Sequence, residues 1–245
     1  VLSYEANVGK DSRSLSVILT SGSDKAEEEI VQAGQTSHNE GGGNGGGSRE
    51  PAISKGQLTE ANAPLWLELP AIDDRSELKY YTHDMKLSDG KTVVRNYLFA
   101  WDNENLVSHW VAYPLCDSFA GSGSRTDAWG YDPLLPASEQ PELYKGYQGG
   151  YDRGHQLPSA DRLTYNANVQ TFYVTNMTPQ LGSLNQNLWA NFDTQVRNWA
   201  GKSDTLYVVT GCTVAGSTAK AYDNLGKAVT VPTGYYKALL RFQSN

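Results

Sequence analysis

The sequence predicts an α+β fold in which a central, mostly antiparallel β-sheet is flanked by helices. Two runs rich in branched and aromatic residues, 92–101 and 105–115, meet at a DNEN turn segment, which is typical of a β-hairpin. Apolar residues recur at helical spacing between 184 and 199, which indicates an amphipathic helix. At 245 residues the chain is long enough for one large domain, alone or with an additional piece.

Residues 1–34 are predicted to be a β-rich leader, because the words SYEAN, RSLSVILTSG and EEEIVQAG alternate as strands do. So short a segment cannot bury a core of its own. Its pattern resembles the last strands of a BACON-type immunoglobulin-like module, which is found in exported bacterial surface proteins. A disordered leader, or one that pairs through its strand edges, stays open as the alternative.

Residues 35–56 are predicted to be a flexible linker, because six glycines in the GGGNGGG run at 41–47 lie between polar flanks. The run has neither the Gly-Lys-Ser/Thr word nor the strand-then-helix context of a phosphate-binding loop. It is therefore predicted to be a tether, and His38 within it to be inert. The main domain is predicted to occupy residues 57–245.

The middle of this domain is predicted to be irregular before it becomes regular again. Residues 116–150 are rich in Gly, Ser, Pro and Asp, and a loop of this length is often functional. Residues 171–175 (TFYVT) predict a buried strand, and residues 176–180 a turn. His83 and His109 belong to or flank predicted strands, where a lone histidine is more often structural than catalytic.

The helix that follows has both a start and a stop signal. Ser183 with Gln186 three residues later predicts a capping box, and Gly201 predicts the end of the helix. The apolar stripe of this helix is predicted to consist of Leu184, Leu188, Phe192, Val196 and Trp199. Two further strands are predicted at 205–210 and 229–242.

The charge of the chain is acidic but unevenly distributed. The net charge is −7, and residues 1–50 hold four Lys/Arg against eight Asp/Glu, while residues 51–245 hold 16 against 19. This balance argues against a protein that coats nucleic acid through bulk electrostatics, but it permits a local basic groove.

The cysteines, the hydropathy and the first residue of the chain are used to predict the cellular compartment. Cys116 and Cys212 each follow a strand-like run, so a disulfide, which fits an exported protein, and two buried free thiols are predicted equally. No apolar run approaches the roughly 20 residues that span a bilayer. Because the chain begins at Val1 rather than Met, we expect a processed, exported protein that has lost a signal peptide.

Polar groups suited to phosphodiester chemistry are concentrated between Tyr151 and Arg197. In the Asp-Arg-Gly-His word at 152–155, His155 is a candidate general base, because an imidazole titrates near pH 6.5. Gly154 permits a close backbone approach or a sharp turn. The guanidinium groups are candidates for forked contacts with phosphate oxygens, and these are Arg153, Arg197 and Arg125.

A sparse metal platform is predicted on the following helix. Asn185 is a poor lone ligand for zinc but an acceptable oxygen donor for Mg²⁺, which keeps several of its waters. Asp193, two turns later, could hold one of those waters or reach the ion itself. Taken singly, these residues also have ordinary explanations, namely surface ion pairs, local hydrogen bonds and solvated charges.

Spacing and resemblance favour the catalytic interpretation. The words YDRGHQLPSADR, TFYVTNMTPQ, LNQNLWANFD and DTLYVVTG, with RNY and WVAYPL upstream, resemble the DNA/RNA non-specific endonuclease family of the ββα-metal (His-Me finger) superfamily. This group includes endonuclease G, and the resemblance covers residues 65–245. It implies a ββα-metal element at the sheet edge, with His155 as general base and Asn185 as Mg²⁺ ligand.

The resemblance also implies roles for the other candidates. Arg153 and Arg197 match arginines that bind phosphate or stabilise the transition state, and Arg125, ahead of a Trp-x-x-Asp-Pro word, matches another. Asp152, Gly154, Asn176 and Gln180 are implied to support the site.

This chain departs from the family at two points. The family usually has Glu at the position of Asp193, so the shorter side chain is expected to weaken activity. The family fold normally continues beyond the strand that ends near residue 245, so the domain is expected to be incomplete at its C-terminus.

The expected function is exported, Mg²⁺-dependent cleavage of DNA and RNA with little sequence preference, with Mn²⁺ as a substitute metal. The resemblance implies 5′-phosphate and 3′-hydroxyl ends. Expected partners are the nucleic acid substrates and a second copy in a homodimer. Two alternatives stay open: a secreted nuclease toxin with an immunity-type inhibitor, and a catalytically silent binding module in which Asp193 marks a dead site.

Overall fold

The computed structural model describes residues 13–21, 24–32 and 56–244, which form two compact units. The smaller unit contains a hairpin of β1 (Arg13–Ser21) and β2 (Asp24–Gln32), paired antiparallel. The second and third strands predicted for the leader are thereby confirmed. The SYEAN word and residues 35–55 lie outside the described residues, and the likeness to an immunoglobulin-like module stays a prediction.

The larger unit is built on a six-stranded, antiparallel sheet, as the sequence predicts. Its strands are β3 (Gly56–Leu58), β4 (Lys79–Lys86), β5 (Val93–Asp102), β6 (Val107–Leu115), β9 (Thr205–Thr213) and β12 (Gly234–Phe242). Their order across the sheet is β12-β9-β6-β5-β4-β3. The short strands β10 (Lys220–Tyr222) and β11 (Ala228–Thr230) pair with each other outside this sheet.

Both faces of the sheet are covered, which explains why β5 is apolar at every position from Tyr97 to Trp101. Tyr97, Phe99 and Trp101 enter the larger core, while Leu98 and Ala100 enter a smaller one. Side chains of the segment that precedes β4 cover the smaller core, and these include Trp66, Leu69 and Ile72.

A separate two-stranded ribbon and the helix after it lie on the side of the larger core. The ribbon pairs β7 (Tyr151–His155) with β8 (Met177–Leu181), and both Leu157 and Met177 belong to the larger core. A π-helix (Leu184–Trp189) continues directly into α3 (Ala190–Ala200). These elements form the predicted ββα unit. The remaining helices are α1 (Asp117–Ala120) and α2 (Tyr165–Gln170), with 3₁₀ turns at Ala137–Glu139, Ser159–Asp161 and Val174–Asn176.

Three local predictions are wrong. Residues 171–175 are buried but follow α2 into a 3₁₀ turn instead of forming a strand, and residues 177–181 form β8 where a turn was expected. The strand expected at 229–242 is divided, because β11 ends at Thr230 and β12 begins only after Pro232, which cannot donate to a ladder.

The helix also differs in its first turns. Ser183 makes no side-chain capping bond, and Gln186 Nε2 instead donates to Asp152 Oδ2 at 2.8 Å. The wider π turn shifts the helical phase, so that Leu188 is 68 % exposed and Trp189 is buried in its place. Gly201 does follow the last helical residue, in ordinary right-handed geometry.

Cys116 and Cys212 are free thiols, so the disulfide alternative is wrong. In the antiparallel pair of β6 and β9, Leu115 lies opposite Leu206 and Trp110 lies opposite Gly211. The two cysteines therefore lie towards opposite ends of this strand pair and lend no support to export. None of the helices in the described residues is long and apolar enough to cross a membrane.

Candidate active site

A cleft of about 650 Å³ lies between the ribbon, the helix and the irregular segment before β7. Every residue predicted to take part directly in the chemistry contributes to its lining. These residues are Arg125, Arg153, His155, Asn185, Asp193 and Arg197. Of the four residues that were predicted to support the site, Asp152 also lines the cleft, while Gly154, Asn176 and Gln180 do not. The structure establishes where these side chains lie, and their catalytic roles stay predictions.

His155 is the last residue of β7 and is fixed from behind. A Cβ atom at Gly154 would lie 2.5 Å from Gln180 Oε1, so glycine is required for the close approach of β7 to β8. Asn176 Oδ1 accepts a hydrogen bond from Leu157 N at 2.8 Å, and its Nδ2 donates to Leu157 O at 2.9 Å. The backbone on both sides of the imidazole is thus held in place.

The imidazole of His155 is neutral and partly enclosed. Its ring lies edge-on to Trp129 and Phe172, with centroid distances of 5.6 and 5.2 Å. Burial, assisted by the positive charge of Arg125, lowers the pKa of His155 to about 3, against a backbone hydrogen bond with Arg153 that raises it. Nε2 is buried and has no hydrogen-bond partner among the described residues. It is therefore an available proton acceptor.

Asn185 is oriented by the aspartate of the Asp-Arg-Gly-His word. Its Nδ2 donates to Asp152 Oδ2 at 3.0 Å, and the same oxygen accepts from Gln186. The amide nitrogen is therefore occupied, and Oδ1 has no protein partner in the described part of the chain. Asp152 thus connects the ribbon to the helix and orients Asn185 so that its amide oxygen is available in the cleft.

The donor set fits a hydrated Mg²⁺ better than zinc. Within residues 56–244 no group of three or more His, Cys, Asp and Glu side chains could hold a metal ion. The carboxylate and amide groups that line the cleft belong to Asp152, Asp193 and Asn185, and their oxygens are hard donors. An ion that retains most of its waters needs few protein ligands, and Mg²⁺ behaves in this way.

Asp193 has a partner that the sequence did not indicate. The ammonium group of Lys237, on β12, lies 3.0 Å from Asp193 Oδ1, and the Lys237 side chain is fully buried. Lys237 Nζ also donates to Thr210 Oγ1 at 2.7 Å and lies 4.9 Å from the centroid of the Trp189 ring. Burial raises the pKa of Asp193, and the charge of Lys237 opposes this rise.

The three candidate arginines are held to different degrees. Arg153 Nη1 donates to Leu143 O at 2.8 Å and to Tyr144 O at 3.0 Å. Arg197 donates from Nη1 to Asp161 Oδ1 at 2.9 Å and from Nη2 to Thr194 Oγ1 at 3.0 Å. Arg153 is thus partly held by carbonyl groups of the loop before β7. Arg197 is oriented by Asp161 and by Thr194 of its own helix.

Arg125 is the most accessible of the three. Its Nε donates to Asp127 Oδ1 at 2.8 Å, and its side chain is half exposed. The guanidinium carbon lies 4.6 Å from the centroid of the Phe172 ring. Its two terminal nitrogens have no hydrogen-bond partner within the described ranges and are available to a ligand.

Several residues of the site were missed from the sequence, among them Trp129, Lys145 and Lys237. Trp129 lies under the Arg153 guanidinium, with 3.5 Å between Cζ and the ring centroid. Lys145 lines the cleft, and Lys237 contacts Asp193 from behind. Of Trp129, Lys145 and Lys237, only Trp129 could have been found from the sequence, because it belongs to the Trp-x-x-Asp-Pro motif.

His83 and His109 are structural, as expected. His83 Nε2 lies 2.8 Å from Asp132 Oδ2 in the core, and Thr175 donates to the same oxygen. His109 Nε2 lies 2.8 Å from Asp102 Oδ2. Neither ring lines the cleft.

The model of the DNA/RNA non-specific endonuclease family matches residues 76–245, which is more than half of the chain. The chain belongs to this family. The resemblance found in the four sequence words is thereby confirmed, and the ββα unit with its cleft lies inside the matched range.

Curated relatives of this endonuclease-family chain are nucleases of diverse organisms. A nuclease of a Nostoc species is 37 % identical over 161 residues, which cover 64 % of this chain and 56 % of that protein. A nuclease of Serratia marcescens is 31 % identical over 159 residues, 62 % of this chain and 59 % of its own. Mitochondrial endonuclease G of Bos taurus is 29 % identical over 155 residues, 59 % of this chain and 52 % of its own. The chain thus spans between half and two thirds of these relatives.

Proposed function

We propose that this protein is a metal-dependent endonuclease that hydrolyses phosphodiester bonds of DNA and RNA with little sequence specificity. One observation carries the proposal. The Nε2 of a neutral His155, which has no hydrogen-bond partner among the described residues, shares a cleft with an oriented Asn185 and with arginine side chains. A general base, an oxygen donor for a metal and cations for a phosphate are the groups that this reaction needs.

In this mechanism His155 accepts a proton at Nε2 from the water that attacks phosphorus. Arg125 and Arg197 bind non-bridging phosphate oxygens, so the charge that grows in the transition state is met by fixed cations. Asn185 Oδ1, with Asp193 directly or through water, would hold Mg²⁺ or Mn²⁺. When bound, such an ion neutralises charge and supplies an acidified water for the leaving oxygen. The products would carry a 5′-phosphate and a 3′-hydroxyl.

A catalytically weak or silent binding module is the second candidate. The observation that favours it is the ion pair of Asp193 with Lys237, because that carboxylate oxygen is then not free for a metal water. Export from the cell, a homodimer and an immunity-type inhibitor stay predictions of the sequence.

Cleavage of a supercoiled plasmid and of single-stranded RNA, with Mg²⁺, with Mn²⁺ and with a chelator, tests the proposal. We expect cleavage with either metal, none with the chelator, and a loss of roughly 10²- to 10⁴-fold in kcat/KM for His155→Ala, which is the usual contribution of a general base. His109→Ala, a histidine outside the cleft, should remain within a few-fold of the parent. Undiminished cleavage by His155→Ala would contradict the mechanism, and a parent without cleavage under either metal would favour the binding module.

A further inference from the structure

A second cavity, of about 380 Å³, adjoins the active-site cleft. It is lined by a short polar loop, by Leu163 and by Tyr165, and it shares Arg125 and Leu163 with the cleft. The loop residues in the lining are Ser122, Gly123, Ser124, Arg125, Thr126 and Ala128. Arg125 is the one charged residue of this lining, so the cavity is suited to a neutral group attached to a phosphate.

The walls of this cavity are fixed by close backbone contacts. Gly121 (φ +66°) and Gly123 (φ +154°) adopt conformations that favour glycine, and a Cβ atom at Gly123 would lie 2.3 Å from Leu163 O. Leu163 N donates to Ala120 O at 2.6 Å. The cavity is therefore formed before any ligand arrives.

The far end of the loop is anchored as firmly. Thr126 N and Oγ1 both donate to Asn168 Oδ1, at 2.8 and 2.9 Å. Asn168 is fully buried, and its Nδ2 donates to Ser159 O and to Arg162 O. This amide ties the cavity to the segment that follows His155.

Tyr165 stands at the rim of the cavity with an open aromatic face. The residue is 76 % exposed, and neither its hydroxyl nor its ring has a hydrogen-bond or stacking partner among residues 56–244. A large aromatic ring gains little from such a position in the folded chain. A flat ring beside a polar cavity and a phosphate-binding arginine is the combination used to stack single-stranded bases.

We infer that this cavity binds the nucleobase next to the scissile phosphate, with the base stacked on Tyr165. The inference rests on the proposed function, because Arg125 must hold a phosphate in the cleft for the adjoining nucleoside to enter the second cavity. Neighbouring base pairs cover both faces of a base inside a duplex, so the subsite favours single-stranded over double-stranded substrates. Because every base has a π-face, the subsite adds affinity without sequence preference.

A double-mutant cycle between Tyr165 and the base tests the inference. The full chain carrying His155→Ala, in which cleavage is expected to be slow, is titrated against a fluorescent single-stranded pentanucleotide and against copies with one abasic position each. We expect Tyr165→Ala to weaken binding by roughly 5- to 150-fold and Tyr165→Phe to change it less than about twofold. Removal of the base at the most sensitive position should strongly weaken oligonucleotide binding by the protein that retains Tyr165. The same removal should hardly change binding by Tyr165→Ala.

Controls separate stacking from general effects. Tyr236→Ala removes a half-exposed tyrosine of β12 that does not line the second cavity, and it should bind as the parent does. Thermal unfolding verifies that each variant is folded. Equal abasic losses in the Tyr165 and Tyr165→Ala proteins would overturn the inference, as would a similar loss for Tyr236→Ala. Coupling between Tyr165 and a base, in a parent protein that does not cleave plasmid, would support the subsite and contradict the nuclease. Plasmid cleavage without such coupling would support the nuclease and contradict the subsite.

Discussion

The imidazole of His155 lies beside two aromatic rings and within the field of Arg125, and burial together with the charge of Arg125 disfavours a proton on it. A pKa of about 3 keeps the base free at neutral pH, but it also makes the base weak. A phosphate bound by Arg125 would offset the charge of that arginine. We therefore expect substrate binding to raise the pKa of His155 towards the range in which proton transfer is efficient.

The same pKa makes protein stability depend on pH. A histidine in the unfolded chain titrates near 6.5, so between pH 6.5 and 3 the unfolded state binds a proton that the folded state does not. The contribution of His155 is fully present above pH 6.5 and is lost as pH falls towards 3. Between pH 7.5 and 5.0 the parent should lose about 2 kcal/mol more unfolding free energy than His155→Gln does. Urea denaturation at both values measures this, and equal losses in the two proteins would contradict the shift.

At the scale of elements, the central hairpin of the sheet was predictable, whereas the strand β8 and the helical phase were not. The apolar runs of β5 and β6 meet at a turn, and both strands form where expected. The stripe that included Leu188 assumed 3.6 residues per turn, whereas the π turn exposes Leu188 and buries Trp189. The extra residue of a π turn cannot be recognised from the spacing of apolar residues, because that spacing is analysed with a fixed helical period.

The site residues that lie in the family's sequence motifs could be predicted, whereas a residue that reaches the site only through tertiary packing could not. His155, Asn185 and Asp193 line the cleft as expected. Lys237 was missed because it is 44 positions from Asp193 in the chain and, in an alternating strand, has the pattern of a solvent-facing residue. Only the register of β12 on β9, with Lys237 opposite Thr210, brings it behind the helix.

The ion pair between α3 and β12 should dominate the response of these elements to mutation. Lys237→Met leaves the carboxylate of Asp193, whose side chain is 13 % exposed, without its buried cation. Breaking one side of a buried pair costs about 3–5 kcal/mol of unfolding free energy. Adding Asp193→Asn removes the unpaired charge, so the double variant should be more stable than Lys237→Met alone. Urea denaturation of the parent, both single variants and the double variant completes the cycle, and strictly additive losses would show that the two side chains are not coupled.

At the scale of the whole molecule, an acidic chain presents a cationic cleft. The net charge is −7, yet four cations, Arg125, Lys145, Arg153 and Arg197, share the cleft with two carboxylates. Asp152 accepts hydrogen bonds from Asn185 and Gln186, and Asp193 is paired with Lys237. Attraction of a polyanion is thus confined to the cleft, and the acidic remainder favours release of the product.

Lys145 offers the sharpest test of this local attraction. It is exposed and lines the cleft, and within residues 56–244 its ammonium has no ion-pair partner, so its removal should leave the fold intact. If it contacts one phosphate, Lys145→Ala should make the slope of log K against log salt shallower by about 0.7 for a single strand or about 0.9 for a duplex. Lys91→Ala, in the exposed turn before β5, removes the same charge outside the cleft and should leave the slope unchanged. The slopes are measured by anisotropy with the His155→Gln protein at several salt concentrations. An equal change in both variants would mean that net charge governs binding, whereas a change in Lys145→Ala alone means that the cleft does.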